Sequence, residues 1–226
     1  MTGASRGIGA AVAQRLVHLG WPVMLLGRDA AALEQSAAAF EAQGGTALWL
    51  AGDLADDEFM AAAVAQTGSR LGPVDVLVNN AGVAIMQSVQ AADMEAWRRL
   101  MQINFDCAVF LANAVLPSMV TRETGAIINI SSISGRNTGP GAAAYSASKH
   151  ALNGFSGCLF EDVREHGIKV SSVMPGFVAT DLTDGLGLEE SRMIRASDVA
   201  DCVEFILSCS SHCCPTEILL RPQLSV

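Results

Sequence analysis

Thr2-Gly3-Ala4-Ser5-Arg6-Gly7-Ile8-Gly9 follows Met1, and apolar residues at Ile8, Val12, Leu16 and Leu19 then recur at helical spacing until Gly20, a residue suited to the position just past a helix end. Glycines at 3, 7 and 9 let the backbone turn tightly and approach a pyrophosphate lying over the helix N-terminus and its free amide donors. Taken alone, the pattern fits a glycine-rich turn without a ligand equally well. Residues further along the chain decide between the two.

A short apolar strand is predicted over 22–26, Asp29 can cap an alanine-rich helix ending near Gly44, and 46–51 reads as the next strand. Further strands are predicted at 74–78, 126–130, 169–173 and 217–220, separated by helices near 56–71, 93–121, 144–166 and 197–209. Val76-Leu77-Val78 and Ile127-Ile128-Asn129-Ile130 lack polar alternation, as strands of a parallel sheet covered on both faces do. The expected architecture is a single doubly wound α/β domain over 1–226 with a mostly parallel sheet, the Rossmann arrangement.

Half of the 226 residues are hydrophobic, enough for one large core. Lysine and arginine number 14 against 23 acids, and the net charge of −9 repels phosphate backbones, which argues against a nucleic acid partner. No apolar run approaches about 20 residues and no basic leader precedes one, so no membrane partner is expected and a cytoplasmic location is. The six cysteines suit reduced core thiols better than a disulfide framework. Cys209, His212, Cys213 and Cys214 are crowded into one stretch without paired Cys-x-x-Cys spacing, so no metal is expected.

Tyr145 and Lys149 lie four residues apart on a predicted helix, one turn apart on one face, where an ammonium can favour phenolate over phenol. Tyr145 is the only tyrosine, and Ser132 lies thirteen residues upstream. With the glycine-rich start, Asn79-Asn80-Ala81-Gly82, Asn104 and Pro175-Gly176, these residues stand in the order and spacing of a known family, and the chain from Thr2 to about Pro222 resembles the short-chain dehydrogenase/reductases.

The resemblance implies reversible hydride transfer between a nicotinamide dinucleotide and a carbonyl. Tyr145 would supply the proton, Ser132 would hold the carbonyl oxygen, Lys149 would lower the tyrosine pKa and bind the nicotinamide ribose, and Asn104 would position a water leading protons to the lysine. Gly3, Ser5, Arg6, Gly7, Ile8 and Gly9 would cradle the coenzyme, and Asp53 with Leu54 would meet the adenine. Asn79, Asn80, Ala81 and Gly82 would divide their roles between structure and coenzyme, while Pro175, Gly176, Val178 and Thr180 would form the loop over the nicotinamide. Gly27 stands where a carboxylate would select NAD, and Arg28 comes next, so NADP(H) is expected in preference to NAD(H). His150 points away from Tyr145 and is read as structural, and Arg136 as a solvated loop residue.

In this fold a central strand precedes the glycine loop, and here only Met1 does. Either the natural chain begins upstream, which is the favoured expectation, or another segment fills the gap. The segment 181–188 is short and glycine-containing, which suits a modest mobile lid and a small or medium carbonyl or alcohol substrate. The ending 212–222 resembles the branch of 3-hydroxy acid and serine dehydrogenases and related carbonyl reductases. The alternatives are a 3-oxoacyl-carrier-protein reductase and a catalytically silent NADP-binding protein. Relatives pair the long helices across a two-fold axis, which implies a homodimer or homotetramer.

Overall fold

The computed structural model describes residues 1–226. Seven α-helices alternate with six parallel strands: α1 Gly7–His18, β1 Val23–Gly27, α2 Ala30–Ala42, β2 Ala47–Ala51, α3 Asp57–Leu71, β3 Val76–Asn79, α4 Met94–Met101, α5 Cys107–Arg122, β4 Gly125–Ile130, α6 Ala143–Val163, β5 Ile168–Pro175, α7 Ala196–Ser208 and β6 Glu217–Leu220. Asp29, Asp56 and Asp93 cap α2, α3 and α4 by accepting backbone amides of the first turn. Gly20 and Gly44, just past α1 and α2, take the left-handed backbone that ends a helix.

Helices cover both faces of the sheet. On one side Val12, Leu16, Leu25, Val173, Val203 and Ile206 pack α1 and α7 onto the strands. On the other, Leu111, Val115, Ile127, Leu159 and Val170 bring α5 and α6 down onto β4 and β5. Each such side chain, fully buried, contributes about 1.5–3 kcal/mol of apolar transfer free energy.

The sheet is divided. β1 pairs with β2, and β3-β4-β5-β6 form a separate ladder. Met1 and Thr2 bridge the two at the carboxyl ends of the strands: the Met1 amino group donates to Met24 O at 3.1 Å, Leu26 N donates to Met1 O, and Thr2 N donates to Val78 O. Beside this bridge lies an apolar cleft, about 830 Å³ including its open mouth, with Val23, Met24, Val76, Val78, Leu111 and Val115 on its walls. Met1 and Thr2 are the residues that reach into the space between β1 and β3. Burial of the Met1 amino group lowers its pKa to about 5.

The helix expected to be continuous over 93–121 contains a change of winding. Between α4 and α5, Gln102–Asp106 form a π-helical turn, with one residue more per turn than the flanking helices. The whole stretch Met94–Arg122 is, contrary to the expectation from sequence, long and apolar enough to cross a membrane. Its side chains Leu100, Ile103, Cys107, Leu111, Val115 and Met119 are instead buried in this domain.

Candidate active site

The carboxyl ends of β3, β4 and β5 gather the site. Ser132 lies just past β4 and caps a short turn, its Oγ accepting Ser134 N at 3.1 Å. Tyr145 and Lys149 project from the first turns of α6, and the Lys149 ammonium stands 5.8 Å from the centre of the Tyr145 ring. Lys149, 3% exposed, donates to Ile130 O at 3.0 Å, and its burial lowers its pKa to about 8.

The expected acidification of the phenol is not found. Burial pushes the Tyr145 pKa up, and the Ser132 hydroxyl facing it offsets this only in part. The Lys149 ammonium lies over the ring, 5.8 Å from its centre, and is engaged by Ile130 O.

Asn104 lies on the π turn and is buried. Its Oδ1 accepts Val83 N at 2.8 Å, and its Nδ2 donates to Val83 O and to Ser148 Oγ, which in turn donates to Tyr145 O. A methyl group built on Gly82 would lie 3.5 Å from Asn104 Oδ1 and 3.6 Å from Lys149 Nζ, so this glycine keeps open the space between the two polar groups. Ser132, Tyr145, Lys149 and Asn104 are therefore gathered in one place, with an O–H donor and a cation beside each other and Gly82 next to both the Asn104 amide and the Lys149 ammonium.

The glycine loop is held in shape by its own contacts. Gly3 and Gly7 adopt positive φ, and a side chain on Gly9 would collide with Gly3 O at 2.0 Å. Asn80 Nδ2 donates to Thr2 O and Gly3 O, and the amides of Asn80 and Ala81 donate to Thr2 Oγ1. Asn79 Nδ2 donates to Asn129 Oδ1 within the sheet. The Asn80 side-chain amide is thus occupied by protein, whereas Asn79 Oδ1 is buried without a partner. Arg6 precedes α1 without a side-chain cap, which leaves the amides of Gly7, Ile8 and Gly9 as donors for an anion, and Ser5 lies beside Gly27. That geometry fits a dinucleotide pyrophosphate.

At the far end, Arg28 is exposed past β1. Asp53 accepts Ala55 N at 3.0 Å and pairs with Arg99, and these contacts hold its carboxyl below the usual range. Arg99 is the partner of Asp53 that sequence reasoning misses: it lies on a helix, 46 positions away, and no local pattern reveals the pair. Leu54 is buried in the core rather than open to a ligand. Pro175 closes β5, Gly176 N donates to Leu220 O, Val178 is bridged to Ile194, and Thr180 Oγ1 donates to Val178 O. His150 Nδ1 lies against Ser146 O, and Arg136 pairs with Glu217 instead of lying free as expected.

A doubly wound sheet, a glycine-rich loop at a helix N-terminus and a Ser-Tyr-Lys group at the carboxyl edge define a nicotinamide-dependent oxidoreductase. The profile of the short chain dehydrogenase family matches residues 1–191, and the chain belongs to this family. It is similar to a metagenomic short-chain oxidoreductase solved in complex with NADP, with 36% identity and a TM-score of 0.87 over 99% of this chain and 96% of that one. It is also similar to a serine dehydrogenase complexed with NADP+, at 26% identity and a TM-score of 0.89, covering 97% and 92% of the two chains. The 3-oxoacyl-[acyl-carrier-protein] reductase FabG of Haemophilus influenzae is 35% identical over 92% of this chain and 89% of its own.

Proposed function

We propose that the protein transfers hydride between NADP(H) and a small or medium carbonyl compound or secondary alcohol, with 3-hydroxy acids among the candidate substrates. The observation carrying this reading is the convergence of Ser132, Tyr145, Lys149 and Asn104 in one place beside the glycine loop. The coenzyme supplies or accepts the hydride. The protein's part is to place the carbonyl oxygen between the Ser132 and Tyr145 hydroxyls, deliver a proton from the Tyr145 Oη, and keep the positive charge of Lys149 nearby while negative charge develops. Lys149, with Asn104 and Gly82 beside it, would return a proton to the phenol through water.

Gly3, Ser5, Arg6, Gly7, Ile8 and Gly9 would hold the pyrophosphate, Asp53 and Arg99 would lie near the adenine, and Val178 with Thr180 would meet the carboxamide. An exposed Arg28 after a β1 that ends in glycine supports NADP(H) over NAD(H). Changing Arg28 to Asp is expected to reverse that preference in initial rates with NADPH and NADH; a variant still favouring NADPH overturns the assignment.

Oxidation of NADPH with a panel of small ketones, 3-oxo acids and 3-oxoacyl carrier thioesters tests the substrate class. Turnover confined to carrier thioesters would favour the acyl-carrier alternative, which the net charge of −9 does not support for an acidic carrier. Tight NADPH binding with no turnover on any of them would favour the silent one. A cytoplasmic homodimer or homotetramer formed through α5 and α6 belongs to the same reading and is checked by light scattering.

A further inference from the structure

The segment Thr180–Met193 is stapled at its base. Ala179 N donates to Ile194 O at 2.9 Å and Ile194 N donates to Phe177 O at 3.0 Å. Inside it, Thr183 Oγ1 donates to Val178 O and Thr183 N to Thr180 O, so its root is a tight turn, after which come Gly185 and Gly187 with positive φ. Above the base its links to the rest of the protein are few. Arg192 donates to Ser225 O near the C-terminus, and Thr180 lies 3.2 Å from where a Gly7 side chain would begin. The remaining link is an ion pair, Arg6 Nη1 to Asp181 Oδ2 at 3.0 Å.

That ion pair joins two places with opposite electrostatic needs. Arg6 is the residue before α1, so its guanidinium lies at the helix end where an anion is favoured. The segment carries four acids, Asp181, Asp184, Glu189 and Glu190, against Arg192, which is itself paired with Glu189. A polar cleft lies among Asp181, Asp184 and Glu190, and Arg6 is the one cation salt-bridged to any of these three. An acidic segment folded over an anion site would be repelled by the anion unless the cation between them changes partners.

We propose that Asp181 is a positioning residue that latches this segment to the glycine loop through Arg6, and that a coenzyme phosphate opens the latch by taking Arg6 over. The coenzyme half of this rests on the NADP(H) assignment; the latch itself does not. Both side chains are more than half exposed, 69% for Arg6 and 57% for Asp181, so the pair is a weak, reversible tie and not part of the fold's stability. A weak tie is what competition by a phosphate requires, since the guanidinium offers the same planar donors to either anion.

The test compares the wild type with Asp181→Asn, Arg6→Gln and the double variant. Hydrogen exchange of 180–193, measured without coenzyme, should quicken about two- to five-fold in each single variant and no further in the double. The NADPH dissociation constant, read by fluorescence titration, should fall about two- to five-fold in Asp181→Asn, with the gain shrinking as salt is raised and vanishing when Arg6 is already Gln. A purely structural role for Asp181 would not make its effect depend on Arg6. Unchanged exchange in the single variants overturns the latch. Weaker NADPH binding by Asp181→Asn, or an equal gain in the Arg6→Gln background, overturns the competition. A wild type that binds no NADPH sinks the coenzyme reading, while the exchange experiment still decides the latch.

Discussion

In the proposed reaction two neighbouring residues would divide the acid–base work, and their environments push them in opposite directions. Burial raises the Tyr145 phenol, so it is fully protonated at neutral pH and ready to donate to a carbonyl oxygen. Tyr145→Phe keeps the ring and removes only the O–H. Turnover should drop by about 10²- to 10⁴-fold while NADPH binding persists, and substantial residual rate with the phenylalanine would remove the tyrosine from the chemistry. Burial lowers Lys149 to about 8, so its ammonium is present below that pH and lost above it. An anionic coenzyme should therefore bind the free protein more weakly as pH rises from 7 to 9. Fluorescence titrations across that range test this, and Lys149→Met should flatten the dependence; a step that survives the substitution belongs to another group.

At the scale of elements, the π turn between α4 and α5 is what turns Asn104 inward. A regular helix over Gln102–Asp106 would keep the 3.6-residue repeat, and the extra residue in the turn lets the amide reach both backbone groups of Val83 and the hydroxyl of Ser148. Asn104→Ala strips partners from those buried groups and should cost about 1–3 kcal/mol in urea unfolding, with Asn104→Asp recovering only the bond from Val83 N. Loss of activity with no loss of stability would instead assign Asn104 a role in proton delivery alone. Asn104 itself was legible from its place in Gln102-Ile103-Asn104-Phe105, but the π turn was not, because apolar periodicity over so few residues does not distinguish one helical winding from another. β1 and β4 were legible because they are buried along almost their whole length and read as nearly continuous apolar runs. The direction of the Tyr145 shift and the Arg99–Asp53 pair were hidden, since both arise from groups brought together only when the sheet has formed.

For the molecule as a whole, the controlling feature is the cleft between β1 and β3. Two strand edges face it with one short bridge between them, and the buried Met1 amino nitrogen donates to Met24 O. The Met1 amine has a folded pKa of about 5 against an ordinary value of 8.0, so the native protein binds fewer protons than the unfolded chain between these values. Stability should then be complete above about pH 8 and decline as pH falls toward 5, which thermal melts across that range will show. An amide at the same nitrogen carries no such proton. Appending four or five β-branched apolar residues ahead of Met1 by design should thus flatten the pH dependence. It should also raise the melting temperature by several degrees, at about 2–4 °C per kcal/mol for a chain of this size. The same extension carrying two prolines should flatten the pH dependence without the further gain, because proline cannot donate to either ladder. Equal melting temperatures for the two extensions would mean that the cleft does not accept a strand, and that the two halves of the sheet are held by the helices packed across them.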